Sequence, residues 1–548
     1  MSHHATEISD EFLAQLKQDL VSRHVGRAFA RLEAHPHRLA AFDPAQKNAA
    51  LFAGYLAQWV DVGFQRPSLV KSIVGSFSRS VRARLPLLEY LHLRMAEGML
   101  AMSEESTEEA IRHFDFVLSL ESETDDQELL SIANFWKGRC LRMKGEYDQA
   151  LVFAVKGREL AQHLGHSAMA AVMRVLESWL YFQKGDARQA TDILQEAEAI
   201  LSKTDDHLTL GNIYSSYGRI ARRQGRYQHA IDHFTAAIAQ YRKLDPRHRN
   251  VARSLNNMAY VKRLIALQLR RKIDADAARH RKAAARGKAR AREGKLPYRT
   301  RFEQLCQEAL AELAEAAAIY EQYPNHHGLG SVCLNYGFLH LDNGDLEDAE
   351  AQAKRGFSLA EARRDHILMA RTRILQCMIE NARVEEEIGD SNEPGCHARV
   401  AQDCAQQAIE LAKHTENRRL LVHAYVWQGL TYCNRFFDDP ESARQCYDQA
   451  VILSKGDHAE TASEDLHTLR GKVQRGGSVN PTLRAWSQGS VGDKTFQQIT
   501  EEFAELVIPK VWEREGRKIS RVAARLSISP KKVRRILNRV GPKKRPKE

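Results

Sequence analysis

The sequence predicts an all-α protein, a helical solenoid followed by a flexible linker and a small terminal domain, and three observations carry that prediction. Apolar residues recur at helical spacing over most of the 548 positions, while strand signals are nearly absent. Between roughly residues 85 and 455 a set spacing of small and aromatic residues repeats itself, as stacked helical hairpins require. After Leu469 that pattern stops, and residues 471–494 carry five glycines, three serines and one proline.

Hydrophobic content of 43% excludes wholesale disorder. The first residues, MSHHATEISDEF, lack the basic-then-apolar layout of a signal peptide, and no uncharged apolar run approaches the roughly 20 residues of a membrane helix. A cytoplasmic protein with no membrane partner is expected. Eight cysteines (Cys140, Cys306, Cys333, Cys377, Cys396, Cys404, Cys433 and Cys446) form no CxxC pair, which points to reduced thiols on helices. The net charge of +11 is uneven: residues 270–301 hold thirteen Lys/Arg against three acids (+10), residues 507–548 fifteen against three (+12), and the remainder sums to −11. Two basic blocks on an otherwise mildly acidic chain predict localised contact with a polyanion. For 270–301 a solvated, alanine-rich helical excursion stands beside that reading.

In chain order, residues 49–64 and 68–85 pair as a hairpin closing an N-terminal segment, residues 1–84. The repeats follow within residues 85–470. Gly218, Gly225, Tyr227, Ala230, Phe234 and Ala237 form the clearest copy. Gly138, Gly145, Tyr147, Ala150 and Gly157 form another, as do Gly337, Gly344, Leu346, Ala349 and Gly356; the copy at Ser178, Gly185, Ala187, Ala190, Leu194 and Ala197 is looser. Gly98, Ala110 and Phe114 keep the outer spacing, and Gly429, Tyr432, Ala443, Tyr447 and Ala450 fit with two extra turn residues. Small residues let the two helices of a hairpin approach closely, and the aromatic fills the space towards the next hairpin. Two further hairpins are interrupted, one by the basic insert between Leu269 and Phe302, the other by GDSNEPGCHA at 389–398. Seven to nine hairpins are expected.

This pattern resembles the tetratricopeptide repeat, a 34-residue pair of antiparallel helices. The resemblance implies a concave surface lined by the first helix of each hairpin, at positions one, four and five after the first glycine and three before it. Carried over, the lining residues are Phe135, Arg139, Arg142 and Met143, then Val175, Trp179, Phe182 and Gln183, then Ser215, Arg219, Arg222 and Arg223. Arginines alternating with aromatics suit an extended segment bearing carboxylates and apolar anchors, so an acidic peptide or partner-protein tail is the expected ligand. A solvated groove without a cognate ligand is the alternative.

The composition of residues 471–494 predicts a tether spanning on the order of 25 to 30 Å ahead of a terminal domain, residues 495–548. In that domain Phe496, Ile499, Phe503 and Leu506 form an apolar stripe, either covering the back of the following helices or pairing with a second copy in a homodimer. Ser520–Leu526 reads as one short helix capped by Ser520; Ser529 and Pro530 open a second, ending before Gly541. With Val533, Ile536, Leu537 and Val540 inward, Lys531, Arg535 and Asn538 point most directly away, flanked by Lys532, Arg534 and Arg539. Val522, Ala523, Leu526, Ser527, Ile528, Ser529, Val533, Leu537 and Gly541 together resemble the C-terminal helix-turn-helix of the Fis type. That resemblance implies double-stranded DNA as partner, base edges meeting Lys531, Arg535 and Asn538, and phosphates meeting Lys532, Arg534 and Arg539. The family's upstream helices dimerise. Ser527 departs from it by standing where a glycine is usual, which asks for a positive φ at roughly 1 kcal/mol, and Lys518 replaces a usual Asn. Lys543, Lys544, Arg545 and Lys547 add a basic tail.

Chemistry is not indicated. Gly489–Thr495 (GSVGDKT) lacks phosphate-loop spacing, because Asp493 separates the second glycine from the lysine. Neither the histidine pairs His3/His4 and His326/His327 nor Cys396, His397 and Cys404 reach metal-ligand spacing. No enzyme, catalytic residue, metal or cofactor is expected. The leading expectation is a bacterial, cytoplasmic transcriptional regulator, nucleoid-associated when bound to DNA. A non-enzymatic interaction scaffold whose basic end contacts RNA or a protein is the second.

Overall fold

Helix pairs stacked side by side account for nearly all of the chain. The computed structural model describes residues 8–34, 42–60, 67–285, 296–323, 328–386, 393–454, 460–476, 486 and 492–540, with no strand among them. It divides into two units, Met1–Arg470 and Gly471–Glu548.

The first unit opens with α1 (Asp10–Ser22), α2 (Val25–Glu33), α3 (Ala49–Val60), α4 (Pro67–Ser76) and the single turn α5 (Arg79–Arg82). Ser9 caps α1 by accepting from the Phe12 amide at 3.2 Å, and Asp10 and Glu11 complement the positive end of its dipole. Leu16, Leu20, Phe52 and Trp59 join one continuous core with Leu91, Phe114, Trp136 and Met173. The helices before Leu87 therefore share their interior with the first repeats. A buried ion pair adds to this: Arg23 Nε lies 2.7 Å from Asp206 Oδ2, and Asp206 also caps a repeat helix through the Thr209 amide.

Eight hairpins follow among the described residues: α6 (Leu87–Ser103) with α7 (Thr107–Ser119), α8 (Gln127–Lys144) with α9 (Tyr147–His163), α10 (Ser167–Lys184) with α11 (Ala187–Leu201), α12 (His207–Arg223) with α13 (Tyr227–Arg242), α14 (Arg249–Ala285) with α15 (Leu296–Tyr320), α16 (Gly328–Asn343) with α17 (Leu346–Glu361), α18 (His366–Glu386) with α19 (Glu393–Lys413), and α20 (Arg418–Tyr432) with α21 (Pro440–Ser454). α8, α10 and α12 begin at residues 127, 167 and 207, a period of 40 instead of 34. Longer helices make the difference, with 18 residues in α8 and 17 in α9.

The repeated small residues have two separate causes. At the first glycine the reason is close approach: a Cβ on Gly218 would stand 2.8 Å from the Phe234 ring. Ser178 occupies that place in its own repeat because its hydroxyl donates to the facing Ala190 carbonyl at 2.8 Å. At the second glycine the reason is backbone conformation, not packing. Gly145, Gly185, Gly225 and Gly344 lie at φ 88°, 100°, 73° and 91°, the left-handed region that ends a helix.

The basic insert is mostly an extension of one hairpin. α14 runs on to Ala285 and α15 already starts at Leu296, while residues 286–295 lie outside the described residues. Within the interrupting segment 389–398, residues 393–398 belong to α19. The expected linker starts later than its composition suggests, since α22 (Glu460–Gly476) continues past Arg470. Leu469 is fully buried and packs against Gly429, closing the last hairpin.

The second unit contains α23 (Phe496–Arg514), α24 (Ile519–Leu526) and α25 (Pro530–Val540). Thr495 opens α23 with a capping box, its amide donating to Gln498 Oε1 at 2.8 Å. Ile508, Val522, Ala523, Val533 and Ile536 form the core, with Ala504, Val511 and Trp512 around it. The expected back-covering stripe is thus only partly right: Phe496 and Phe503 are 84% and 49% exposed. α24 starts at Ile519 with Lys518 at the cap position and no side-chain bond there, so Ser520 is not the cap.

Replacing Gly218 by Val is expected to destabilise the first unit by about 1 to 3 kcal/mol, read as a fall in denaturation midpoint. Gly75→Ala, where nothing lies within 4 Å, should be neutral or stabilising. Equal losses from both would refute the close-approach explanation.

Candidate functional site

The first helices α8 and α12 carry cations on aromatic shelves. Arg139 Cζ lies 4.3 Å from the Trp136 ring centroid and 5.7 Å from that of Phe135. Arg142 lies 5.0 Å from Trp179, Arg222 5.2 Å from Tyr260, and Arg223 3.6 Å from Phe182. The ring faces hold the guanidinium groups in place, and Arg222 Nη1 also donates to Asn257 Oδ1 at 3.3 Å. Met143, Val175 and Gln183 are half-buried like these arginines, whereas Ser215 is buried.

Arg219 is half-buried like the other arginines. Its Nη2 donates to Ser215 Oγ at 3.1 Å. Burial, with the nearby charges of Arg253, Arg222 and Arg142, pulls its pKa down to about 9. Arg253, on α14, donates through Nη2 to Asn212 Oδ1 at 2.6 Å and to the Tyr241 hydroxyl at 3.2 Å. Its buried Nε has no hydrogen-bond partner among the described residues. Such a concentration of like charge is stabilised by anions.

Phe182 differs from its expected place on the groove surface. At 5% exposure it lies beneath Arg223 and Arg419, whose Cζ is 5.4 Å from the ring. Its carbonyl accepts from Arg223 Nη1 at 2.6 Å and from Arg419 Nη2 at 2.8 Å. Arg419 belongs to α20, 237 residues further on. It is one of several contacts by which late repeats meet early ones. The Glu416 amide donates to the Gly145 carbonyl at 3.1 Å, and the Glu416 carboxylate accepts from the Asp148 amide at 2.6 Å. Asn417 Nδ2 reaches the Tyr147 hydroxyl at 3.5 Å, and Arg363 pairs with Glu105 at 3.7 Å. Sequence reasoning missed Arg253 and Arg419, because spacing within one repeat says nothing about which other repeats it touches.

In the second unit a tight turn joins α24 to α25. Ser527 takes φ 51° and ψ 42°, as its position in the pattern requires, and Ile528 N donates to Ala523 O at 3.1 Å. Ser529 Oγ accepts from the Lys532 amide at 3.2 Å, opening α25. The six polar residues of α25 then fall on two stripes and a flank. Arg535 faces α23 and pairs with Glu501 at 3.2 Å; Arg539 pairs with Glu501 at 3.3 Å and Glu505 at 3.1 Å. Lys531, Arg534 and Asn538, at i, i+3 and i+7, are all exposed and in no ion pair among the described residues. Lys532 is half-buried on the flank. The tail lysines and Arg545 lie outside the described residues.

Other candidates dissolve. Among the described residues no three His, Cys, Asp or Glu side chains are placed to share a metal ion. Cys404 is buried, Cys396 is exposed, and His397 Nδ1 sits 2.6 Å from Glu380. Thr495 of GSVGDKT is engaged as a helix cap, and residues 489–491 lie outside the described residues. No helix of the described residues is long and apolar enough to cross a membrane.

The model of the tetratricopeptide repeat family matches residues 169–243 and 209–267. The chain therefore contains tetratricopeptide repeats, at the place where the arginine shelves are densest. No curated protein sequence matches the chain. Among solved structures, a Rap protein complexed with competence and sporulation factor superposes with a TM-score of 0.50 at 13% identity, over 74% of this chain and 100% of that one. Human IFIT1, as a dimer with m7Gppp-AAAA, gives 0.45 at 11% identity over 86% and 96%. The Rap conjugation gene regulator of plasmid pLS20, in complex with the Phr* peptide, gives 0.40 at 11% over 74% and 96%. At these identities the likeness to the first is one of fold, a tetratricopeptide-type helical solenoid.

Relief of the positive φ by Ser527→Gly is expected to stabilise the second unit by up to about 1 kcal/mol. Slower hydrogen exchange of the amides in α24 and α25 is the measurement, and faster exchange would contradict the strain.

Proposed function

We propose that this chain is a DNA-binding transcriptional regulator in which the tetratricopeptide array binds an acidic peptide or partner-protein tail and the C-terminal helix pair enters the DNA major groove. It acts by binding and not by catalysis, in a bacterial cytoplasm and on the nucleoid. The observation that carries the reading is the exposed Lys531–Arg534–Asn538 stripe on α25, directly opposite buried Val533 and Ile536, within a segment of charge +12. In this arrangement Lys531, Arg534 and Asn538 meet base edges. Arg535 and Arg539 exchange Glu501 and Glu505 for phosphates, because exposed ion pairs are worth only about 0 to 1 kcal/mol. Exposed Phe496 and Phe503 offer α23 for pairing with a second copy, and two copies bind adjacent half-sites more tightly than one.

For the array, support comes from the arginine shelves and from the fold. The Rap protein of like fold is complexed with competence and sporulation factor, so a solenoid of this kind accommodates a partner. A scaffold whose basic end holds RNA or a protein remains the competing function, and salt separates the two. Binding of duplex DNA by the full chain is expected to keep sequence preference at moderate salt. Arg534→Ala should relax that preference by about 1 to 3 kcal/mol at one position. Lys532→Ala should weaken all sequences alike and lower the salt slope by about 1. Indifference to sequence, with equal affinity for RNA, would transfer the reading to the scaffold.

Triple substitution of Arg219, Arg222 and Arg223 by Ala should abolish binding of an acidic peptide, followed by fluorescence anisotropy, without changing DNA binding. Retained peptide affinity would remove the groove from the account.

A further inference from the structure

In the second unit the first half of α23 lies along the second half of α25, acids against cations. Residues 495–506 hold three glutamates and no Lys or Arg. Two of them, Glu501 and Glu505, stand one helical turn apart, as do Arg535 and Arg539 on α25, each pair with Cβ atoms about 5 to 6 Å from one another. Arg535 Nη2 donates to Glu501 Oε1 at 3.2 Å and Arg539 Nη1 to Glu501 Oε2 at 3.3 Å. The same Arg539 Nη1 lies 3.1 Å from Glu505 Oε1. Both oxygens of Glu501 are thus engaged, and each contact falls on a terminal guanidinium nitrogen, the outermost donor of its side chain. The third acid, Glu502, takes Lys494 Nζ instead, at 2.7 Å. Lys531 and Arg534, on the base-facing stripe, are exposed and in no ion pair among the described residues.

We propose that Glu501 and Glu505 are an internal phosphate mimic that occupies Arg535 and Arg539 and so sets how tightly the helix pair binds DNA. The proposal rests on the DNA-binding reading above and adds the regulation of that surface. Two carboxylates a turn apart offer oxyanions to two guanidinium groups, as successive phosphates of a strand do. One terminal nitrogen cannot serve carboxylate and phosphate fully at once, so the affinity for phosphate falls with the fraction of time the arginine is free. The side chains of Arg535 and Arg539 are 62% and 65% exposed, so their ion pairs yield to the dense charge of a duplex and weaken its binding without blocking it. Only the flank is restrained in this way. The stripe of Lys531, Arg534 and Asn538 stays open to bases, while the backbone attraction that carries no sequence information is held down. A carboxylate that instead oriented these arginines for DNA would have the opposite sign: its neutralisation would weaken binding.

The test uses the full chain and a fluorescein-labelled DNA duplex of random sequence, followed by anisotropy at fixed salt. Glu501→Gln keeps the shape of an exposed side chain and removes its charge; it is expected to bind about three- to tenfold more tightly than the wild type. Glu505→Gln should give a smaller gain, since it touches Arg539 alone. Glu502→Gln removes the same charge from the same turn without freeing a cation of α25, and measures the general effect of charge. In a chain that also carries Arg535→Gln and Arg539→Gln, Glu501→Gln should gain no more than Glu502→Gln does, because no arginine remains to be released. Equal gains from Glu501→Gln and Glu502→Gln, or a Glu501→Gln gain that persists without the arginines, would reduce the effect to overall charge and overturn the mimic while leaving DNA binding intact. Weaker binding by Glu501→Gln would make it a positioning residue and overturn the proposal. Failure of every form to bind the duplex would overturn both the proposal and the DNA-binding reading.

Discussion

Close contact between paired helices is the constraint from which the first unit follows. Where a hairpin's first helix carries glycine, its partner can come close: the α9 backbone lies against Gly138, and aromatic rings lie against Gly98 and Gly218. Phe114 and Phe234 are fully buried in this way over Gly98 and Gly218. A side chain at those points would push the pair apart and change the angle at which the next hairpin docks. The stacking of successive hairpins brings Glu416 to Gly145 and Arg419 to Phe182. The arginine site therefore depends on packing many residues away from any arginine.

The two cationic surfaces are built on different physics. In the array, guanidinium groups are half-buried and stacked on rings, where burial and mutual repulsion depress Arg219. They suit a ligand that brings both charge and apolar surface. On α25 the cations other than half-buried Lys532 are exposed, and among the described residues they are either unpaired with carboxylates or held by Glu501 and Glu505. Such groups trade partners at small cost, as contact with a phosphate backbone requires.

Much of this was legible in the sequence. The 40-residue separation of Gly138, Ser178 and Gly218 is the structural period, although the resemblance alone suggested 34. Ser527 was marked for positive φ by its place in the turn, and adopts it. Helical periodicity located Val533 and Ile536 in the core of the second unit. What escaped was decided by long-range contact. Phe182 occupies a groove position by spacing, yet Arg419 covers it from 237 residues away. Phe496 and Phe503 continue an apolar stripe, but α23 turns Ile508 and Val511 inward instead. Composition set the linker at 471, whereas α22 extends through Gly476 because Leu469 anchors it against Gly429.

Two polyanion-binding surfaces of distinct chemistry are the central claim, and a competition measurement tests it most directly. The full chain, saturated with labelled acidic peptide, is titrated with specific duplex DNA at moderate salt while both are monitored. Simultaneous binding, with the peptide undisplaced by DNA at stoichiometric levels, is the predicted result. Displacement of one by the other in equal proportion would mean a single shared basic surface and would contradict the account.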